Sequence, residues 1–291
     1  MSTVSMSRPP GPPPDEPDPY RYGWRCVRVE EPEGTVSFDQ VPLTLEDVLF
    51  PETGDFIVQT DLHDEDVHYL KNVFKSRLVG KPRTTVLSDC GVDWNLPGLK
   101  PLCPDVAVFF DIDRHGDVAV LDVAAEGAEP ALVAEVTSPS TRVNDVERKF
   151  DFYYQAGVPI YVIADVIREE NDNRQVNLMG YRHTPAGYQK MPVDARGYIW
   201  LEPVGLWLGV KRDPVFGCDR LACYDPETGE EVGDYTTLSR ELAEKKEALA
   251  VEMEAREAAE RRAAAETEAR TQAEARIREL EAAMQQLTQS P

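Results

Sequence analysis

Pro104-Asp105-Val106-Ala107-Val108-Phe109-Phe110-Asp111 and, after a polar, Gly-containing connection, Ala131-Leu132-Val133-Ala134-Glu135-Val136-Thr137-Ser138-Pro139-Ser140-Thr141 are the two segments that decide the fold. Both are apolar runs of strand length. Each carries one carboxylate that packing does not require. Asp105 opens the first run and Glu135 stands near the end of the second, so a hairpin-like pairing brings both to one edge of a sheet. Ser138 to Thr141 interrupts the strand pattern and offers hydroxyls to cap the next helix. That helix is predicted from about Val143 to Gln155, ended by Gly157, where a left-handed cap is expected. Asp145, Lys149 and Tyr153 lie four residues apart and share one face of it. The run Val158 to Ala164 then returns as a buried strand.

Two carboxylates and a lysine gathered at a sheet edge form a constellation suited to metal-assisted phosphodiester hydrolysis. Mg²⁺ takes one or two carboxylates plus water and substrate phosphate, and the carbonyl of Val136 is the simplest further ligand. Lys149 would orient the attacking water or help deprotonate it, and stabilise negative charge on the phosphate. Taken singly, each residue also has a structural role: Asp105 opens a strand after Pro104, Glu135 faces solvent, and Lys149 pairs with Asp145 on a surface. The joint pattern is less easily explained that way than its parts.

Outward from this centre, Thr84 to Val92 reads as a further strand. Asp61 to Val79 has Val67, Leu70, Val73, Phe74 and Leu78 at helical spacing, with an acidic start and a basic end that match the helix dipole. Lys71, Lys75, Arg77, Lys81 and Arg83 make this the most basic neighbourhood of the body, either a solvated helix end or a phosphate-contacting patch. A short helix capped at Thr44 precedes it, and Tyr22 to Gln40 alternates like a strand or hairpin. Downstream, Asn177 to Tyr181 with Tyr188 to Met191 form a hairpin, and Tyr198 to Val210 closes the body around core aromatics. Residues 1–20, crowded with proline, are expected to be a disordered leader.

From Leu238 to Leu287 the chain has neither Gly nor Pro and is almost all Ala, Glu, Arg, Gln and Leu, so a long helix is expected. At ~1.5 Å per residue it spans about 75 Å. One heptad row is Leu238, Lys245, Glu252, Ala259, Glu266, Ala273, Leu280, Leu287; the other is Leu242, Leu249, Arg256, Ala263, Arg270, Ile277, Met284. Both are apolar at the ends and fade to alanine and charge in the middle, a weak seam. A homo-oligomeric coiled coil and a solvated single helix laced by ion pairs both remain open. The expected organisation is a leader over 1–20, an α/β domain over 21–236 and the helical tail over 237–291.

The whole chain carries a formal charge of −22. The stretch from Thr237 onward holds 9 Lys+Arg against 12 Asp+Glu, so the surplus of acid sits almost entirely in the body. Such a surface repels nucleic acid at long range, although local patches and bound metal override a global mean. The five cysteines are scattered, with no CxxC pair and no histidine spaced to complete a zinc set. They read as reduced thiols. No run reaches the roughly 18 apolar residues of a membrane span, and no signal-peptide pattern opens the chain, so no membrane partner and a cytoplasmic location are expected.

Pro104-Asp105, Glu135-Val136-Thr137-Ser138-Pro139-Ser140-Thr141, Asn144-Asp145, Lys149, Tyr153 and Ala156-Gly157-Val158-Pro159-Ile160-Tyr161 resemble the Uma-type restriction endonucleases, a branch of the PD-(D/E)XK nuclease superfamily. The similarity runs from about Val41, through Leu62-His63-Asp64, to about Tyr224. It implies a restriction-endonuclease-like α/β fold, a central mixed sheet flanked by helices, and a Mg²⁺- or Mn²⁺-dependent site that cleaves DNA. It also implies Asp105 and Glu135 as metal ligands and Lys149 as the catalytic lysine. The sequence departs from the superfamily pattern at Thr137, where the lysine of the E-x-K element is expected. His63 matches a histidine at the start of the first core helix, and the acidic residue ahead of that helix has only Asp55 nearby. The intact Asp105, Glu135 and Lys149 favour a metal-dependent DNA endonuclease. The acidic body favours the alternative, a catalytically idle nuclease fold that serves as an oligomeric interaction module through its tail helix. Action on a single strand or RNA is a third, weaker option.

Overall fold

The computed structural model describes residues 18–30, 35–112, 119–168, 174–213, 217–233 and 235–288. The proline-rich leader, up to Pro17, lies outside them. The chain divides into two compact units, Met1–Val232 and Gly233–Pro291.

The first unit opens with β1 (Gly23–Glu30) and β2 (Val36–Pro42), the antiparallel hairpin that alternation suggests, with β3 (Asp55–Ile57) on the other side of β1. Between them α1 (Leu45–Leu49) starts at a reciprocal capping box of Thr44 and Asp47. The helix α2 (Asp61–Leu78) is capped by the Thr60 hydroxyl on the His63 N–H, which fixes His63 in its first turn.

The central sheet is built from β4 (Thr85–Leu87), β6 (Val106–Phe110), β8 (Glu129–Val136), β9 (Ile160–Arg168), β10 (Arg174–Thr184) and β11 (Gly187–Lys190), in the order β11-β10-β9-β8-β6-β4. It is mixed: β8 and β9 run parallel, and the other neighbours are antiparallel. The parallel pair needs a crossover. That crossover carries a π-helical turn (Asn144–Arg148) leading into α3 (Lys149–Gln155), so the predicted helix is interrupted in its first half. The strand expected over Thr84 to Val92 is also broken. Asp89 adopts a left-handed φ of 51°, which turns the chain out of β4 and into β5 (Gly91–Asp93), paired in parallel with β7 (Val120–Asp122) in a small separate sheet.

Alternation sorts the central strands between two apolar layers. Val106, Val108, Leu132, Ala134, Ile160 and Val162 pack with Val67, Leu70, Val73 and Phe74 of α2. Ala107, Phe109, Val133, Tyr161 and Ile163 pack on the opposite face with Trp94, Tyr153 and Val158. A sheet covered on both faces reads as continuous apolar runs, as these segments do. Each fully buried Leu or Phe there contributes roughly 1.5–3 kcal/mol. A second antiparallel sheet of β12 (Ile199–Leu201), β13 (Leu206–Arg212) and β14 (Asp219–Tyr224) adds Leu201, Leu206, Leu208 and Leu221 to the α2 layer.

The second unit is a single helix, α4 (Tyr235–Thr288). Among the described residues no helix is long and apolar enough to cross a membrane. All five cysteines are free, with Cys218 and Cys223 buried and Cys26 exposed.

Candidate active site

The pleat decides where the two carboxylates go. Glu135 shares its face with Val133 and projects toward α3, whereas Asp105, just ahead of β6, stands where α2 and the end of β8 both reach it. The register Val106↔Ala134 sets the start of β6 beside the end of β8. There the two segments clasp each other. The Asp105 N–H donates to Glu135 Oε2 at 3.3 Å, and the Val136 N–H donates to Asp105 Oδ2 at 2.7 Å.

The crossover then supplies the cation. Lys149 Nζ lies 2.9 Å from Glu135 Oε2 and 3.0 Å from Asp145 Oδ1. One turn on, the Tyr153 hydroxyl donates to Glu135 Oε1 at 2.6 Å. The π turn is pinned on both sides: Asn144 Nδ2 donates to the Leu45 carbonyl at 2.9 Å, and the Tyr161 hydroxyl donates to the Asp145 carbonyl at 2.7 Å. Helical irregularities of this kind recur at functional sites, and here one aims Asp145 and Lys149 at the strand end. From α2, His63 Nε2 approaches Asp105 Oδ2 at 3.4 Å, while its buried Nδ1 has no hydrogen-bond partner among the described residues.

Glu135 is only 1% exposed, and a charge so deeply buried survives only with partners. Burial pushes its carboxyl up to about 8, with Asp105 and Asp145 acting in the same direction against Lys149. Burial opposes the ionised form of Asp105 too, but His63, Lys149 and the Val136 N–H outweigh it and hold that carboxyl below its ordinary value. His63 shows the reciprocal effect: burial works against the imidazolium, yet Asp105 raises its pKa to about 9. Burial also disfavours the Lys149 ammonium, and Asp145, Glu135 and Asp105 together more than compensate, so it stays charged.

Above this cluster opens a cleft lined in part by His63, Asp89, Asp105, Val136, Asp145 and Lys149. Burial, followed by the nearby Asp105, raises the carboxyl of Asp89. Burial likewise raises Asp145, partly countered by Lys149. Four carboxylates thus share the region with two cations. All-oxygen donors in such acidic excess suit a hard divalent ion. As arranged, no three such side chains among the described residues surround a common point; the Lys149 ammonium stands between Glu135 and Asp145 instead.

The residues singled out from the sequence are therefore brought together, Asp105, Glu135 and Lys149 in direct contact through Glu135. Glu135 lies beneath the cleft rather than on its wall. Asp145 and Tyr153 join them, and their four-residue spacing from Lys149 was the signal for both. Asp89 had no such signal, because its place depends on a backbone turn. Asp55 is held elsewhere, by Arg25 at 2.6 and 2.7 Å. Thr137 is turned to β9, where its hydroxyl accepts from the Val166 N–H at 2.8 Å. In the basic neighbourhood of α2, Arg77 pairs with Asp225 and Arg83 with Asp111.

Residues 53–213 match the Uma2 family, described as "Putative restriction endonuclease". No curated protein matches the chain. A crystal structure described as "a putative nuclease belonging to DUF820" from Anabaena variabilis is similar over 64% of this chain and 80% of its own, at 13% identity and a TM-score of 0.33. Likeness at that level says nothing about this site.

Proposed function

This chain belongs to the Uma2 family, described as "Putative restriction endonuclease", and from that premise we propose that it is a metal-dependent endonuclease hydrolysing phosphodiester bonds in DNA. The observation that carries the proposal is the convergence of Asp105, Glu135 and Lys149 at the base of one acidic cleft. Asp105 and Glu135 would hold Mg²⁺ or Mn²⁺, with the Val136 carbonyl beside them. When bound, such an ion supplies an acidified water and positive charge against the phosphate.

The chain's own groups do the positioning. His63 bears on Asp105 and Tyr153 on Glu135, so each carboxylate is oriented from behind. Lys149, charged in this arrangement, is a hydrogen-bond donor to the attacking water or a phosphate oxygen rather than a proton acceptor. Asp145 keeps that ammonium in place from the π turn. A net charge of −22 gives no general attraction for DNA, so binding has to come from contacts at the cleft.

A second interpretation rests on Glu135 itself. Both of its oxygens are occupied by Tyr153 and Lys149, as in a nuclease fold that has become an interaction module. Calorimetric titration with Mn²⁺ separates the two. The enzyme proposal predicts a binding site in the wild type that is lost in Asp105→Ala and Glu135→Ala. An absence of binding by the wild type would favour the module.

A further inference from the structure

The seam of α4 looks degraded only when each row is read alone. Leu238, Leu242, Leu249, Ile277, Leu280 and Met284 are each more than half exposed, leaving an apolar stripe at both ends of the helix. Between Leu249 and Ala273 one row carries only basic charge, Arg256 and Arg270, and the other only acidic charge, Glu252 and Glu266; Lys245 lies outside this stretch. The charges are sorted by row, and that sorting selects an orientation.

Parallel pairing sets each row against itself. Arg256 and Arg270 would then meet their own copies, and so would Glu252 and Glu266, giving like charges in four central layers, with only Ala259 and Ala263 between them. Antiparallel pairing sets one row against the other. With the two-fold axis at Arg261, Glu252 meets Arg270 of the second copy and Glu266 meets Arg256. In the same register Leu242 meets Leu280, Leu238 meets Met284, Leu249 meets Ala273 and the long stem of Lys245 lies along Ile277, while Ala259 meets Ala263 at the centre, where small side chains allow close approach. A shift of one heptad in one direction opposes Arg270 to Lys245. The opposite shift buries Glu252 against Ile277 and Lys245 against Met284. Of these three registers, the one centred on Arg261 alone gives both Glu252 and Glu266 an arginine partner while matching Leu242 with Leu280 and Leu238 with Met284.

We propose that two copies of this chain associate through α4 as an antiparallel coiled coil centred on Arg261. In the lone helix Arg256 and Arg270 reach Glu260 and Glu274 at 3.0 Å, exposed pairs that are given up at little cost. The two chains enter the paired stretch from opposite ends. Flanking the seam, Lys246 of one copy comes beside Glu274 of the other; within one helix these residues are about 42 Å apart at 1.5 Å per residue.

The test uses the full chain. Sedimentation equilibrium is combined with zero-length carbodiimide cross-linking, read by peptide mass spectrometry. A dimer with a Lys246–Glu274 cross-link is expected. An Arg256→Glu/Arg270→Glu variant and a Glu252→Arg/Glu266→Arg variant should each dimerise about tenfold more weakly or worse, and an equimolar mixture of the two should recover the dimer. The proposal is overturned by a wild type that stays monomeric at tens of micromolar. It is equally overturned by a dimer without the Lys246–Glu274 bond whose single-sign variants associate as well as the wild type, the behaviour of parallel pairing.

Discussion

Tyr153 donates its hydroxyl to Glu135 Oε1 at 2.6 Å, from α3 onto the end of β8, in a place water does not reach. The bond satisfies one oxygen of a carboxylate whose other oxygen faces Lys149. Removing only the hydroxyl, in Tyr153→Phe, leaves that acceptor unpaired without changing the packing. The expected stability loss is about 1–3 kcal/mol by urea denaturation. Mn²⁺ affinity or cleavage should fall about 10–100-fold, since groups that orient a metal-binding carboxylate usually carry that weight. Unchanged affinity and activity would remove Tyr153 from the site.

The anchor of α2 should be structural. Asp66 is fully buried and receives Arg174 at 2.6 Å, Arg220 at 2.9 Å and the Leu221 N–H at 3.3 Å. Asp66→Ala strands a buried guanidinium, so about 3–5 kcal/mol of stability should be lost. Denaturation at neutral pH measures it, and a loss below about 1 kcal/mol would mean that water replaces the carboxylate.

Acid sensitivity should trace in part to Asp55. The Arg25 guanidinium hydrogen-bonded to it holds its carboxyl below the ordinary 3.8. The unfolded chain therefore takes up this proton first as pH falls. The pair's contribution is full above about pH 4 and disappears below it, as the folded carboxyl protonates. Asp55→Asn should flatten the dependence of unfolding free energy on pH in that window and leave its course above about pH 5 unchanged. An identical acid limb in the variant would rule this pair out as a contributor.

How much of the fold and the site was legible in the sequence depends on the range of each cause. The central strands were visible because Val106 to Phe110 and Leu132 to Val136 are apolar on both faces, and Glu135 stood out against that background. Asp145, Lys149 and Tyr153 were visible because a four-residue spacing survives folding. The strand break at Asp89 was not, because it depends on one residue's left-handed φ. The π turn at Asn144–Arg148 was hidden too, being held by Leu45 and Tyr161 from distant parts of the chain. His63 could be noted at the start of its helix, but its approach to Asp105 exists only once α2 lies against the sheet. Glu135 sealed beneath the cleft, rather than exposed on its wall, was equally out of reach.

The central claim is that Asp105, Glu135 and Lys149 form a working hydrolytic site. Incubation of the purified full chain with supercoiled plasmid and with single-stranded DNA, in Mg²⁺ or Mn²⁺, tests it most directly, alongside Glu135→Ala and Lys149→Ala. Nicking or linearisation by the wild type is expected, abolished by EDTA and by either substitution. No cleavage of either substrate by the wild type, or cleavage that persists undiminished in both variants, would contradict it.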